Sequence, residues 1–142
     1  MTETNQNAQQ FSWPVRVYYE DTDAAGVVYY ANYLRYFERA RTEWLRALGF
    51  EQTDLATQFG IVFVVRSINV EYRLPARFND ALSIGVELGD VGASQIVLNQ
   101  RVMRDNGLLV EARVRLACVN IAAMKAVRMP KPLQIKIGEK TT

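Results

Sequence analysis

The sequence predicts an α+β domain in which one long helix packs against an antiparallel sheet of about five strands. Three observations carry that expectation. Between Tyr30 and Leu48, apolar residues recur every three or four positions as Leu34, Phe37, Ala40, Trp44 and Leu48, while Arg35, Arg39, Glu43 and Arg46 take another face. From Ser67 onward the apolar period falls to two. Asp105-Asn106-Gly107, between two such alternations, is a hairpin signal.

Taken in order, Met1–Gln10 is polar and rich in Asn and Gln, and is expected to be a disordered tail. One domain is expected over residues 11–135, followed by a C-terminal tail over 136–142. Phe11 to Glu20 reads as a strand with Val15, Val17 and Tyr19 on one face and Pro14 near its start or at a sheet edge. Glu20 to Gly26 is a loop of acids and small residues. The long helix over 30–48 ends at Gly49, suited to the left-handed position after a helix. Glu51 to Phe59 is a shorter helical stretch closed by Gly60. Ile61–Val65 is expected to be buried on both faces, leading into the alternation of Ile68, Val70, Tyr72 and Leu74. Leu82–Leu88, Ser94–Arg104 and Leu108–Ile121 are the remaining strands, joined by turns at Pro75–Asp80 and Gly89–Gly92. The segment from Met124, with Lys125, Arg128, Lys131 and two prolines, reads as a basic tail.

Composition removes several classes of function. The chain has 142 residues, 49% hydrophobic and 23% charged, enough for a core but modest enough that self-association would add useful burial. A net charge of +2 without any Lys/Arg block argues against a nucleic-acid partner. No apolar run is long enough to span a membrane, and the N-terminus lacks the apolar core of a secretory signal. With Cys118 as the only cysteine, no intrachain disulfide can form, which suits a reducing compartment, so a cytoplasmic location is expected. Cys118 alternates with Leu116 and Val114 and is expected to be a buried, inert thiol. The chain has no histidine, which removes Ser–His and Cys–His nucleophile pairs, His-based dehydratase chemistry and His-ligated metals. Acid–base work near neutral pH falls to carboxylates, Tyr, Lys or the cysteine.

The unusual stretch is Tyr18-Tyr19-Glu20-Asp21-Thr22-Asp23-Ala24-Ala25-Gly26-Val27-Val28-Tyr29-Tyr30, which sets acids and small residues just before the long helix. A helix start offers free N–H groups and a positive dipole end, a place to polarise a carbonyl and hold an oxyanion. An Asp there can attack that carbonyl or activate water, and Gly26 would admit close backbone approach. Caps and turns are the bland use of the same residues. A calcium loop is rejected, because its fifth and twelfth positions are Ala25 and Asn32 and a strand precedes it.

Arg16-Val17, then Thr22-Asp23, then Gly26-Val27-Val28 resembles the signature of the 4-hydroxybenzoyl-CoA thioesterase family. The stretch from Trp13 to Asp23 and through Phe37–Glu43 resembles its YbgC-like, Tol–Pal-associated acyl-CoA thioesterase branch, with echoes at Phe63–Arg66, Val70–Tyr72, Pro75–Arg77 and Lys125–Pro130. The resemblance implies a hotdog fold, a sheet wrapped round the long helix, assembled as a homodimer or homotetramer with active sites at the dimer interface. It implies acyl-CoA as substrate, with an acyl carrier protein as the other carrier to consider, and no cofactor, coenzyme A being part of the substrate. It makes Asp23 the catalytic carboxylate and the Tyr30 backbone N–H the group that binds the thioester oxygen. Gly26, Val27 and Tyr29 join them as substrate-binding positions. Lys125 and Arg128 are the candidates for coenzyme A phosphates, since the Gly89–Ser94 turn lacks the basic cluster of the aromatic thioesterases. The branch pattern has His where this chain has Tyr30, and the aromatic thioesterases have Tyr there. That departure keeps a second reading open: a non-catalytic acyl-CoA or acyl-carrier-protein binding subunit. Glu38 is a further base candidate, with an ion pair to Arg41 or Arg35 as its structural alternative. Tyr29, Tyr33 and Tyr36 either line a pocket or pack the helix, and Asp21 is expected to order the loop.

Overall fold

The computed structural model describes residues 9–138. Five strands form one antiparallel sheet: β1 (Gln10–Arg16), β2 (Ile61–Tyr72), β3 (Ala81–Val91), β4 (Gln95–Arg104) and β5 (Gly107–Asn120), in the order β1-β3-β4-β5-β2. A two-residue strand, β6 (Lys125–Ala126), pairs with the end of β5. Helix α1 (Asn32–Ala47) crosses between β1 and β2 in the chain, α2 (Gln52–Phe59) precedes β2, and α3 (Lys131–Gly138) ends the described chain.

The strand registers explain how the sheet encloses α1. Ile84 pairs with Val102 and Val102 with Val110, while Leu88 pairs with Leu98 and Leu98 with Val114. These rows, buried except for the partly buried Leu88, face the helix. Tyr33, Tyr36, Phe37, Ala40, Trp44 and Leu45 meet them from α1. The buried stripe is therefore rotated from the expected one: Leu34 is 38% exposed, and the aromatic residues beside it turn inward. One polar tie crosses this core. Gln100, fully buried, donates from Nε2 to the Phe37 carbonyl (3.1 Å) and accepts from Arg41 Nη1 (3.0 Å). Arg41 thus reaches Gln100, and Glu38 makes no ion pair within 4 Å among the described residues.

Several boundaries differ from expectation. Strand β1 ends at Arg16, and Tyr19–Asp21 forms a 3-10 turn where continuous strand was expected. Ile61–Val65 belongs to a single strand with the alternating run, interrupted by a bulge between Val65 and Ser67. Because β2 is an edge strand, that run is not buried on both faces within one copy: Val65 is 47% exposed. The packed chain also extends past 11–135. Gln10 pairs in β1, and α3 continues to Gly138 with Leu133 and Ile137 buried. Of the expected tails, residues 1–8 and 139–142 lie outside the described residues. Gly60 closes α2 in the left-handed conformation (φ 66°), as its position demanded. No described helix is long and apolar enough to cross a membrane.

Trp44 is 1% exposed at the centre of the helix–sheet contact. Trp44→Ala is expected to lower unfolding stability by about 3–5 kcal/mol, read by urea or thermal unfolding.

Candidate active site

The loop between β1 and α1 is built from short-range hydrogen bonds. Tyr18 N–H donates to Asp21 Oδ2 (2.8 Å), and Asp21 N–H returns to the Tyr18 carbonyl (3.0 Å). The Thr22 hydroxyl donates to the Tyr19 carbonyl (2.8 Å). Thr22 then bridges Val28, so the chain between them doubles back as a tight turn. Asp23 N–H donates to the Val27 carbonyl (2.9 Å) and Gly26 N–H to the Asp23 carbonyl (3.0 Å). Gly26 holds φ +79°, and this left-handed backbone is why glycine is needed there; no atom lies within 4 Å of where its Cβ would sit.

Asp23 sits exposed at the head of this turn. Its Oδ1 accepts the Ala25 N–H (2.9 Å), which orients the carboxylate, and its Oδ2 has no partner among the described residues. Val27 and Val28 are fastened to the β2–β3 connection: Val27 bridges Arg77, and Val28 N–H donates to the Ala76 carbonyl (2.8 Å). Tyr33 supports the same point from α1, its hydroxyl accepting the Ala76 N–H (2.9 Å) while burial pushes its pKa up. Beyond Ala76, the Asp80 carboxylate accepts the Arg77 N–H (2.9 Å) and Arg104 Nη1 (2.8 Å). Burial alone would raise the Asp80 pKa; those two donors outweigh it and hold the carboxyl below its usual range.

The chain then enters α1. Tyr29 N–H donates to the Asp21 carbonyl (2.9 Å) and Asn32 N–H to the Tyr29 carbonyl (2.8 Å). Between them, the N–H groups of Tyr30 and Ala31 donate to nothing among the described residues. Ala31 is the N-cap and offers no side-chain cap. The positive end of this 16-residue helix therefore keeps two free N–H groups, on the turn that follows the one carrying Asp23.

Beside them lies a largely apolar cavity of about 230 Å³, lined by Val28, Tyr30, Tyr33, Tyr72, Arg73, Leu74 and Pro75. Its aromatic walls touch: Tyr30 meets Tyr72 edge to face (centroids 6.3 Å), Tyr33 lies 5.7 Å from Tyr72, and the Tyr72 hydroxyl donates to the Tyr30 carbonyl (3.2 Å). Tyr33 thus lines the pocket and packs the core, Tyr36 is wholly buried, and the Tyr29 ring lies tilted against Tyr30 (centroids 4.7 Å) and does not line the cavity. Tyr72, Leu74 and Pro75 were not singled out as site residues from the sequence. Tyr72 and Pro75 fell in the echoes at Val70–Tyr72 and Pro75–Arg77, and Leu74 only in the apolar alternation that begins at Ile68.

Asp23, Gly26, Val27, Tyr29 and Tyr30 are therefore brought together, and Lys125 and Arg128 are not. Lys125 pairs with Asn120 at the far end of β5, while Leu74 at the pocket is hydrogen-bonded to Leu109 near its start. The intervening strand puts roughly 30 Å between the two ends. Arg128 lines a separate cavity of about 550 Å³ with Gln9, Leu88, Gly89 and Gly92, where Met129 N–H fastens to the Ala93 carbonyl (2.8 Å). Arg16 donates to the Asn79 carbonyl (2.8 Å). Cys118 is buried, which raises its thiol pKa, and lies on the core face of β5.

Known proteins share this arrangement of chain. The thioesterase-like superfamily matches residues 17–137. The acyl-CoA thioesterase YbgC of Haemophilus influenzae is 47% identical over 124 residues, covering 87% of this chain and 91% of its own. The acyl-CoA thioester hydrolase YbgC of Escherichia coli O6:H1 is 47% identical over 128 residues, covering 89% and 95%. The crystal structure of a probable thioesterase from Bartonella henselae superposes with a TM-score of 0.81 at 35% identity, over 85% of this chain and 99% of that one. Curled sheet, central helix and sequence agree, and the chain belongs to the thioesterase-like superfamily, with a hotdog fold.

Proposed function

We propose that this protein hydrolyses acyl-CoA thioesters to the free acid and coenzyme A, with Asp23 as the catalytic carboxylate. The observation that carries the reading is the pair of unclaimed N–H groups at Tyr30 and Ala31, at the start of the helix that follows the turn carrying the exposed Asp23 carboxylate. A thioester oxygen seated on the Tyr30 N–H is polarised in the ground state and more strongly held as the tetrahedral oxyanion forms. The Asp23 carboxylate either attacks the carbonyl carbon, giving a mixed anhydride that water opens, or takes a proton from the attacking water. In both routes the C–S bond breaks and the thiolate leaves with a proton to follow. The apolar cavity beside Tyr30 receives the acyl group. Tyr30 stands where the branch has His, and the backbone N–H serves regardless of that side chain.

Two copies are needed to complete the site. One protomer separates Lys125 and Arg128 from Asp23 by the length of β5. The exposed edge of β2 has its Ile61 end beside Asn120 and its Tyr72 end beside Tyr30. Antiparallel pairing of β2 with β2 of a second copy brings the basic end of one protomer to the Asp23 end of the other and covers the exposed Val65. Pairing of two such dimers would give a tetramer.

Thiol release from a panel of short aliphatic, long aliphatic, benzoyl and 4-hydroxybenzoyl thioesters is expected to fall roughly 10²-fold or more in Asp23→Asn with binding spared. Unchanged rates would refute the assignment of Asp23, and tight acyl-CoA binding with no hydrolysis in the wild type would favour a binding subunit. In a single turnover in oxygen-18 water, label in Asp23 marks an anhydride opened at the aspartyl carbon, whereas label in the product alone fits activated water or an anhydride opened at the acyl carbon. Mixing Asp23→Asn chains with Lys125→Ala/Arg128→Ala chains, each impaired alone, is expected to restore roughly a quarter of wild-type sites if the site is shared across a two-fold interface. No recovery in a verified mixed dimer would place the phosphate contacts elsewhere.

A further inference from the structure

Asp21 is 7% exposed, and no cation lies within 4 Å of it among the described residues. A carboxylate taken from water without a counter-ion needs donors, and it has them. Oδ2 accepts the Tyr18 N–H (2.8 Å), and Oδ1 accepts Asn32 Nδ2 in a short buried bond of 2.6 Å. Its own carbonyl accepts the Tyr29 N–H (2.9 Å). Asn32 is the first residue of α1 and is 8% exposed. One helical turn on, the Tyr36 hydroxyl is wholly buried without a hydrogen-bond partner of good geometry; burial first, then the Asp21 carboxylate, raises its pKa, with Asn32 opposing. This polar cluster lies behind the catalytic turn and does not touch the cavity beside Tyr30.

The cluster's geometry has a definite consequence. Asp21 grips Tyr29 and Asn32, the residues on either side of the Tyr30–Ala31 pair whose N–H groups are free. It also lies two residues before Asp23, with Thr22 between them fixed by the Tyr19 carbonyl. Residue 21 therefore ties both sides of the Tyr30–Ala31 segment, by its carboxylate at Asn32 and its backbone carbonyl at Tyr29, and its carboxylate also holds Tyr18 ahead of the Asp23 turn.

We propose that Asp21 is a positioning residue, which through its bond to Asn32 and its carbonyl to Tyr29 aims the free N–H groups of the α1 N-terminus at the oxygen of the carbonyl that Asp23 addresses. The proposal rests on the reading of Asp23 and the Tyr30 N–H given above. A shift of about an ångström in such donors costs up to two orders of magnitude in turnover.

The test uses kcat and KM for the best thioester of the panel, with thermal unfolding run alongside. Asp21→Asn leaves one acceptor where two are used, so that Asn32 must turn its amide over or lose its partner, or Tyr18 N–H must lose its own; kcat is expected to fall at least tenfold, with KM changed less than about threefold. The exchange Asp21→Asn with Asn32→Asp swaps donor and acceptor, keeps an acceptor for Tyr18 N–H, and is expected to recover most of the lost kcat. Wild-type kcat in folded Asp21→Asn, while Asp23→Asn is inactive, would overturn the proposal and leave the catalytic assignment standing. A folded exchange variant as slow as Asp21→Asn would also overturn it, because the charge at position 21 would then matter in itself. If Asp21→Asn does not fold, Asn32→Ala removes the same bond from the other side, and an unchanged kcat there overturns the proposal. An active Asp23→Asn would instead remove the reading on which it rests.

Discussion

Burial of the aromatic flank of α1 against the inward rows of β3, β4 and β5 is the contact on which the other features depend. Tyr36, Phe37, Ala40 and Trp44 supply the helix side, and none of them is more than 1% exposed. A helix so placed fixes where its own N-terminus emerges, at the edge of the sheet beside Ala76. Its first turn can be left uncapped because the packing, rather than a cap, holds the helix in place. The orphan donors that most helices satisfy with Ser, Thr or Asp are then available for a ligand.

Much of this was legible in residue spacing, and the failures have physical causes. The helix and the hairpin at Asp105-Asn106 follow from period and turn chemistry, and both formed. The helical stripe was misread by one column because tyrosine serves two environments. Tyr33 and Tyr36 bury their rings and carry hydroxyls, so pattern alone favoured Leu34 for the core. The run Ile61–Val65 looked interior by composition, yet its place at the sheet edge is a property of topology. Helix α3 escaped because Pro130 and Pro132 read as breakers. Pro132 falls in the first turn, where its missing N–H costs nothing, and only Leu133 and Ile137 anchor the helix.

For the site, Asp23, Gly26 and Tyr30 were visible because one short segment carries them. Tyr72 was invisible for the opposite reason: it comes from the end of β2 and meets Tyr30 only through the fold. Lys125 and Arg128 were named by resemblance to a family of dimers, and one chain keeps them at the other end of the sheet.

The placement of Cys118 has a chemical consequence for a protein whose product is a thiol. Each turnover leaves free coenzyme A beside the catalyst, and coenzyme A readily enters thiol–disulfide exchange with accessible cysteines. Exchange needs a thiolate and a path to it. Cys118 lies fully enclosed on the core face of β5, and burial disfavours its ionised form. The chain therefore carries no cysteine that its own product, or the oxidised disulfide of that product, can cap while the fold is intact.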